Sequence, residues 1–169
     1  GAAGTNFMRA GMPRGVCTEQ WVLEHPQVAQ MLIGQYAAAG SEIVYAPTFC
    51  ANRRSLEGYG LADRLHQMNL SLVRLAREAA GPDVLVAGDM TTLGRPVEEE
   101  GAHSYAALLK IYREQAEALC EAGVDLFAVE TMMGVTECMA ALEAIRSVSD
   151  RPILCTLSLQ SDGKAYFDG

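Results

Sequence analysis

The sequence predicts an α/β fold built on parallel strands, and three observations carry that prediction. Three stretches resemble one another: AAGSEIVYAPTF (38–49), AAGPDVLVAGDM (79–90) and EAGVDLFAVETM (121–132). In each, a small residue and a Gly precede one spacer, an acidic residue and an apolar run. The acids Glu42, Asp83 and Asp125 lie 41 and 42 residues apart, and repetition at a fixed period is a fold-level signal. The segments between the repeats carry apolar stripes at helical spacing with charges opposite. Strand and helix therefore alternate along the chain, which requires parallel strands joined by right-handed crossovers.

Each element has its own warrant. The Gly of each repeat closes the preceding helix at its C′ position. The apolar run that follows reads as a strand buried on both faces. A helix is predicted over 27–39 from Val28, Met31, Leu32 and Tyr36. A second spans 61–80, with Leu65, Met68, Leu72, Leu75 and Ala76 on one stripe. A third spans 105–122 through Leu108, Leu109, Tyr112, Ala116 and Leu119, and a fourth spans 136–148 through Met139, Leu142 and Ile145. Arg151-Pro152 then leads into a fourth strand, ILCTLSL. No linker, low-complexity tract or second domain interrupts the pattern.

Two folds use this alternation. A doubly wound sheet suits 169 residues. A (β/α)8 barrel normally takes about 250 residues, and eight units of this period need roughly twice the present length. Neither GxGxxG nor GxxxxGK[ST] follows any strand, so the nucleotide-binding signatures of doubly wound folds are missing. The pattern alone leaves both folds open.

Composition narrows the function classes. Half the residues are apolar, 20% are charged and 7% are aromatic, as in a folded domain. No apolar run reaches the roughly 18 residues of a membrane span, and GAAGTNFMRAGMPRG lacks the apolar core of a signal peptide. With 21 acidic against 13 basic residues the net charge is −8, which argues against nucleic acid as a partner. The five cysteines, Cys17, Cys50, Cys120, Cys138 and Cys155, are odd in number and widely spaced, with no CxxC. They read as reduced, mostly buried thiols of a cytoplasmic protein, with Cys120 and Cys138 in helices and Cys155 in a strand. Cys50 stands apart because it follows a strand end.

In parallel α/β folds, function gathers beyond the carboxyl ends of the strands. Those ends hold Thr48, Phe49, Cys50 and Asn52, then Asp89 to Thr92, then Glu130 and Thr131, then Thr156, Ser158 and Gln160. Glu130 ends a strand expected to be buried, where an unpaired carboxylate is costly. It either caps the next helix, pairs with an Arg or accepts from a ligand ammonium. Asp89 has the same location, although GDMTTLG also reads as a capped turn. Asn52 followed by Arg53 and Arg54 reads as a helix start with solvated cations. The opening GAAGT consists of small residues whose backbone N–H groups can approach a ligand carboxylate. His25 sits at a helix start, His66 and His103 read as helix-surface residues, and Glu98 to Glu100 read as a solvated loop.

Taken together these segments resemble the homocysteine S-methyltransferase family. The likeness is carried by GAAGT (1–5), EHPQVAQ (24–30), QYAAAGSEIVYAPTFCANRRSLEGYGL (35–61), VAGDM (86–90), EQAEALCEAGVDLFAVETM (114–132) and PILCTLSLQSDG (152–163). These segments span nearly the whole chain in family order. TFCANRRSLEGYGL is most similar to the cobalamin-dependent branch, and VLEHPQ to the betaine branch. The resemblance implies a partial (β/α)8 TIM barrel. Residues 1–169 would form its N-terminal half, a single incomplete domain with four to five parallel strands. It implies a methyl transfer to a homocysteine thiol activated by zinc, with cobalamin reached through a partner domain or protein. It places the amino-acid end of the substrate at Gly1, Ala2 and Thr5 and at Glu130, with Phe49, Thr48 and Asn52 lining the pocket. The family's first-strand Asp would precede Gly1. Its three zinc cysteines lie in Asn-Cys and Gly-Gly-Cys-Cys segments that do not occur here, so no metal ligand is expected in this chain. Asp89 stands where the family usually has a small residue, which points to a changed substrate.

Two other readings stand beside this one. One is a corrinoid-system methyltransferase that takes the methyl group of a quaternary amine or another donor. The other is a non-catalytic half-barrel whose open sheet edges invite pairing.

Overall fold

Residues 3–168 are described by a computed structural model. Seven helices and four strands follow one another: α1 (Ala3–Arg9), α2 (Thr18–Glu24), α3 (Pro26–Ala38), β1 (Ile43–Tyr45), α4 (Arg53–Glu57), α5 (Leu65–Ala80), β2 (Leu85–Thr91), α6 (Tyr105–Glu121), β3 (Leu126–Met132), α7 (Val135–Arg146) and β4 (Ile153–Leu157). The strands form one parallel sheet in chain order, β1-β2-β3-β4. A doubly wound sheet reverses its strand order at a switch point. No reversal occurs here, so the sheet has barrel-type topology. The expected α/β architecture is borne out, with four strands among the described residues.

The repeat has a structural cause. Gly40, Gly81 and Gly123 all adopt positive φ (91°, 83° and 80°), a backbone region that favours glycine and ends each helix. The acid two residues further on anchors the next strand. Asp125 accepts from Val86 N–H and from Arg77 Nη2, both at 2.7 Å. This contact fixes the start of β2 against that of β3, and the two pair from Ala87↔Leu126 to Thr91↔Glu130.

The main core lies between the sheet and its helices. Val44, Val86, Met90, Phe127 and Val129 meet Leu72, Ala76, Tyr112, Leu119, Ala141 and Ile145 there. Gly88 faces this layer, and a Cβ on it would lie 3.0 Å from Leu119 Cδ1 and 3.2 Å from Val124 Cγ1. Its missing side chain lets α6 sit against β2. On the opposite face Tyr45, Ala87, Leu126 and Ala128 form a smaller cluster.

Several expectations need correction. The strands are not all buried on both faces: Ile43, Leu85 and Leu154 are 41%, 48% and 46% exposed. β1 is shorter than its apolar run. The chain turns at Ala46–Pro47, where Pro has no N–H for a ladder, and Thr48 N–H bonds back to Ala46 O. Residues 61–64 form a 3-10 turn rather than the start of α5. α1, α2 and α4 were not expected as helices, and residues 3–5 of the opening segment lie inside α1. Arg53 is not merely solvated: its Nε donates to Glu114 Oε2 at 2.7 Å. His103 is not on a helix surface. It is buried before α6, with Nε2 2.9 Å from Arg95 O. Cys155 is exposed rather than buried.

Candidate functional site

The carboxyl ends of β1, β2 and β3 open into a cavity of about 680 Å³. Side chains of α1, α2 and α3 close its far wall, among them Phe7, Glu19 and Ile33. The period of 2 along a strand carries the inner face from Ala87 to Asp89 and from Ala128 to Glu130. Both acids line the cavity, together with Tyr45, Phe49 and Thr131. No Arg, Lys or His is among the lining residues.

Glu130 is held by an irregular strand end. Thr131 has φ 60°, a value that costs a β-branched residue on the order of 1–3 kcal/mol. The β3–β4 register shifts between Val129 and Met132 at the same point. Thr91 Oγ1 donates to Glu130 O at 2.9 Å, and Thr156 Oγ1 accepts from Thr131 N–H at 3.2 Å. The strain therefore sits at the lip of the cavity, where it turns Glu130 and Thr131 toward the opening.

Asp89 is only 6% exposed, and its Oδ1 has no hydrogen-bond partner. Burial, reinforced by the charge of Glu130, raises its pKa well above the ordinary carboxylate range. Glu19, on α2, is also buried and also raised, chiefly by burial. Unlike Asp89 it is satisfied, accepting from Cys50 N–H at 2.8 Å and from Cys17 Sγ at 3.5 Å. Tyr45 is raised by burial and then by the charges of Glu130 and Asp89. Burial and the charge of Glu19 push the Cys50 thiol up to about 12, so it is a poor nucleophile at neutral pH.

The residues singled out from sequence fall into three groups. Phe49 and Glu130 line the cavity. Thr48 and Asn52 are fully buried and serve the backbone. The Thr48 hydroxyl donates to Asp89 O (2.9 Å) and accepts from Asp89 N–H (3.0 Å), while Asn52 Oδ1 caps α4 at Ser55 N–H (2.9 Å). Thr5 is exposed on α1, whose Ala3, Gly4 and Phe7 face the cavity instead. Gly1 and Ala2 lie outside the described residues. Sequence reading missed Glu19 and Tyr45. Glu19 lies on a short helix with no periodic stripe, so no sequence signal marked it.

Four parallel strands in chain order, with a concave acidic cavity at their carboxyl ends, define a small-molecule site of the βα-barrel class. The particular family follows from comparison. The family described as Homocysteine S-methyltransferase matches residues 1–169, and the chain belongs to it. The chain is similar to S-methylmethionine–homocysteine S-methyltransferase BHMT2 of Pongo abelii, 30% identical over 161 residues, covering 94% of this chain and 41% of that protein. It is 28% identical over 163 residues to betaine–homocysteine S-methyltransferase 1 of Mus musculus, covering 94% and 39%. The chain thus spans about two fifths of these relatives. The metallated homocysteine methyltransferase MmuM of Escherichia coli superposes with a TM-score of 0.81 at 22% identity, covering 99% of this chain and 65% of that one. That likeness speaks to the fold.

Proposed function

We propose that this chain is the N-terminal, substrate-holding half of a barrel that transfers a methyl group to the thiol of homocysteine. The carrying observation is Glu130, a carboxylate at the end of β3 on a cavity without a basic side chain. An ammonium is the natural partner of such a group, because a charge-assisted hydrogen bond in a desolvated cavity is strong. Family membership supplies the amino-acid thiol as the molecule that bears it. In this reading the backbone of Gly1, Ala2 and Thr5 takes the substrate carboxylate and Phe49 packs on its carbon chain. Thr48 and Asn52 shape the loop that presents Phe49.

The described residues do not fit a zinc site. No group of three or more His, Cys, Asp and Glu among them could hold a metal ion. Zinc and the thiol activation it provides therefore belong, in this proposal, to the remainder of the barrel, as does contact with a cobalamin protein. A cytoplasmic location is part of the same proposal, supported by five free cysteines. No helix among the described residues is long and apolar enough to cross a membrane.

Methyl transfer to homocysteine by the full-length protein tests the proposal, with Glu130→Gln as the variant. Loss of one charge-assisted contact predicts a fall of about 10–100-fold in kcat/KM for homocysteine. A full-length protein that neither binds zinc nor methylates any thiol would overturn the reading. The quaternary-amine reading draws on the aromatic lining, since Phe7, Tyr36, Tyr45 and Phe49 surround the acids and an aromatic face attracts such a cation. Thermal stabilisation by betaine and not by homocysteine would select it.

A further inference from the structure

We propose that Asp89 is a ligand-binding, specificity-determining residue: its carboxyl and that of Glu130 together receive the primary ammonium of a small molecule. This deepens the reading above and rests on it for the location of the ligand's amino end. The first ground is placement. Asp89 pairs with Ala128 and Thr91 with Glu130, so the two acids share the inner face on neighbouring strands, two residues apart along the sheet. With strands ~4.8 Å apart and ~3.3 Å of rise per residue, their Cα atoms are separated by on the order of 8 Å. Two short side chains at that separation can converge on one nitrogen.

The second ground is that Asp89 has no other task. The turn reading requires it to cap GDMTTLG, yet the turn is satisfied elsewhere. Leu93 N–H goes to Glu137 Oε1 at 2.6 Å, and Gly94 N–H to Thr92 Oγ1 at 3.0 Å. The backbone of Asp89 is taken up on both sides by the Thr48 hydroxyl. What is left is a buried carboxyl with a free oxygen at a cavity wall. A buried acceptor without a partner costs about 1–3 kcal/mol, so a position that keeps one has a ligand-shaped reason for it.

The third ground is charge. The titratable groups facing the site are Glu19 from α2, Tyr36 from α3, Tyr45 from β1, Cys50 after β1 and Glu130 from β3. None of them is a cation that could neutralise a second carboxylate. In the empty cavity, burial and Glu130 keep the proton on Asp89. An entering ammonium pairs with both carboxyls, and the Asp89 proton leaves to solvent. The balance is one neutral acid plus one ammonium giving one carboxylate–ammonium pair plus one proton.

Calorimetric titration of the full-length protein at pH 7, in two buffers of different ionisation enthalpy, tests this. The probes are homocysteine, 3-mercaptopropylamine, propylamine and 4-mercaptobutyrate. The expected result is release approaching one proton with the three amines and none with 4-mercaptobutyrate. Asp89→Asn should abolish that release and weaken amine binding about tenfold or more, whereas Asp89→Glu should retain part of both. Thermal unfolding confirms that each variant is folded. Unchanged amine affinity and proton release in both Asp89→Asn and Asp89→Ser would overturn the proposal, as would failure of every amine to bind. Homocysteine methylation that is insensitive to Asp89→Asn sinks the Asp89 role and leaves the methyltransferase reading standing. Amine binding with proton release but no thiol methylation does the reverse.

Discussion

Asp89 shows how one residue can work against the fold that holds it. Its folded-state pKa lies above the unfolded value of about 4, so the native state binds its proton more tightly than the unfolded chain does. The stability contributed by that proton is complete below about pH 4 and is lost as the pH rises through the raised folded value. Asp89→Asn removes the titration. Its Tm relative to the parent should therefore increase from acid toward neutral pH in a thermal scan without ligand. A Tm difference that is the same at pH 4 and pH 8 would contradict the burial argument. Glu19 titrates in the same direction but is common to both proteins and cancels in the comparison. Glu130 was legible from the sequence because a carboxylate ending an apolar run is an anomaly. The free oxygen of Asp89 was not, because a Gly-Asp turn explains such a residue equally well until the turn's own hydrogen bonds are known.

Secondary-structure elements were legible to the extent that periodicity marked them. α5 and α6 have full apolar stripes, and the structure places both where the stripes run. α2 and α4, at seven and five residues, are too short for a stripe and are held by tertiary contacts. Trp21 of α2 stacks on His25 with ring centroids 4.5 Å apart, and Asn52 caps α4. β2 illustrates a requirement that only packing reveals. Gly88 faces α6, where a Cβ meets the flexible end of Leu119 and the branched Val124. Gly88→Ala should be close to neutral, because Leu119 can yield. Gly88→Val adds branched volume against both neighbours and should lower unfolding stability by about 1–3 kcal/mol in urea titration. A Val variant as stable as the parent would show that α6 does not pack as described. α6 and α7 are tied to the end of β2 by one buried group: Glu137 accepts from Tyr112 Oη (2.7 Å), Thr92 Oγ1 (2.6 Å) and Leu93 N–H (2.6 Å).

At the scale of the whole molecule, the sheet presents one face to helices and the other to the open. Ile43, Leu85 and Leu154 share that open face and are all exposed, an apolar strip of the kind that marks an interaction surface. A polypeptide of residues 1–169 on its own should self-associate through it. The double variant Leu85→Lys, Leu154→Lys should shift sedimentation toward monomer, and a parent that is monomeric at tens of micromolar would count against the strip. The sequence by itself determined the alternation of strand and helix, the parallel sheet and the family. These follow from period, glycine placement and motif, which are local properties. The strand order without reversal, the open inner face and the meeting of Asp89 with Glu130 were decided only by tertiary structure. Those residues are 41 positions apart. Nothing in either segment states which strands are neighbours or which face they share. Pairing β2 to β3 in one register, anchored by Asp125 on Val86, brings two acids to one cavity.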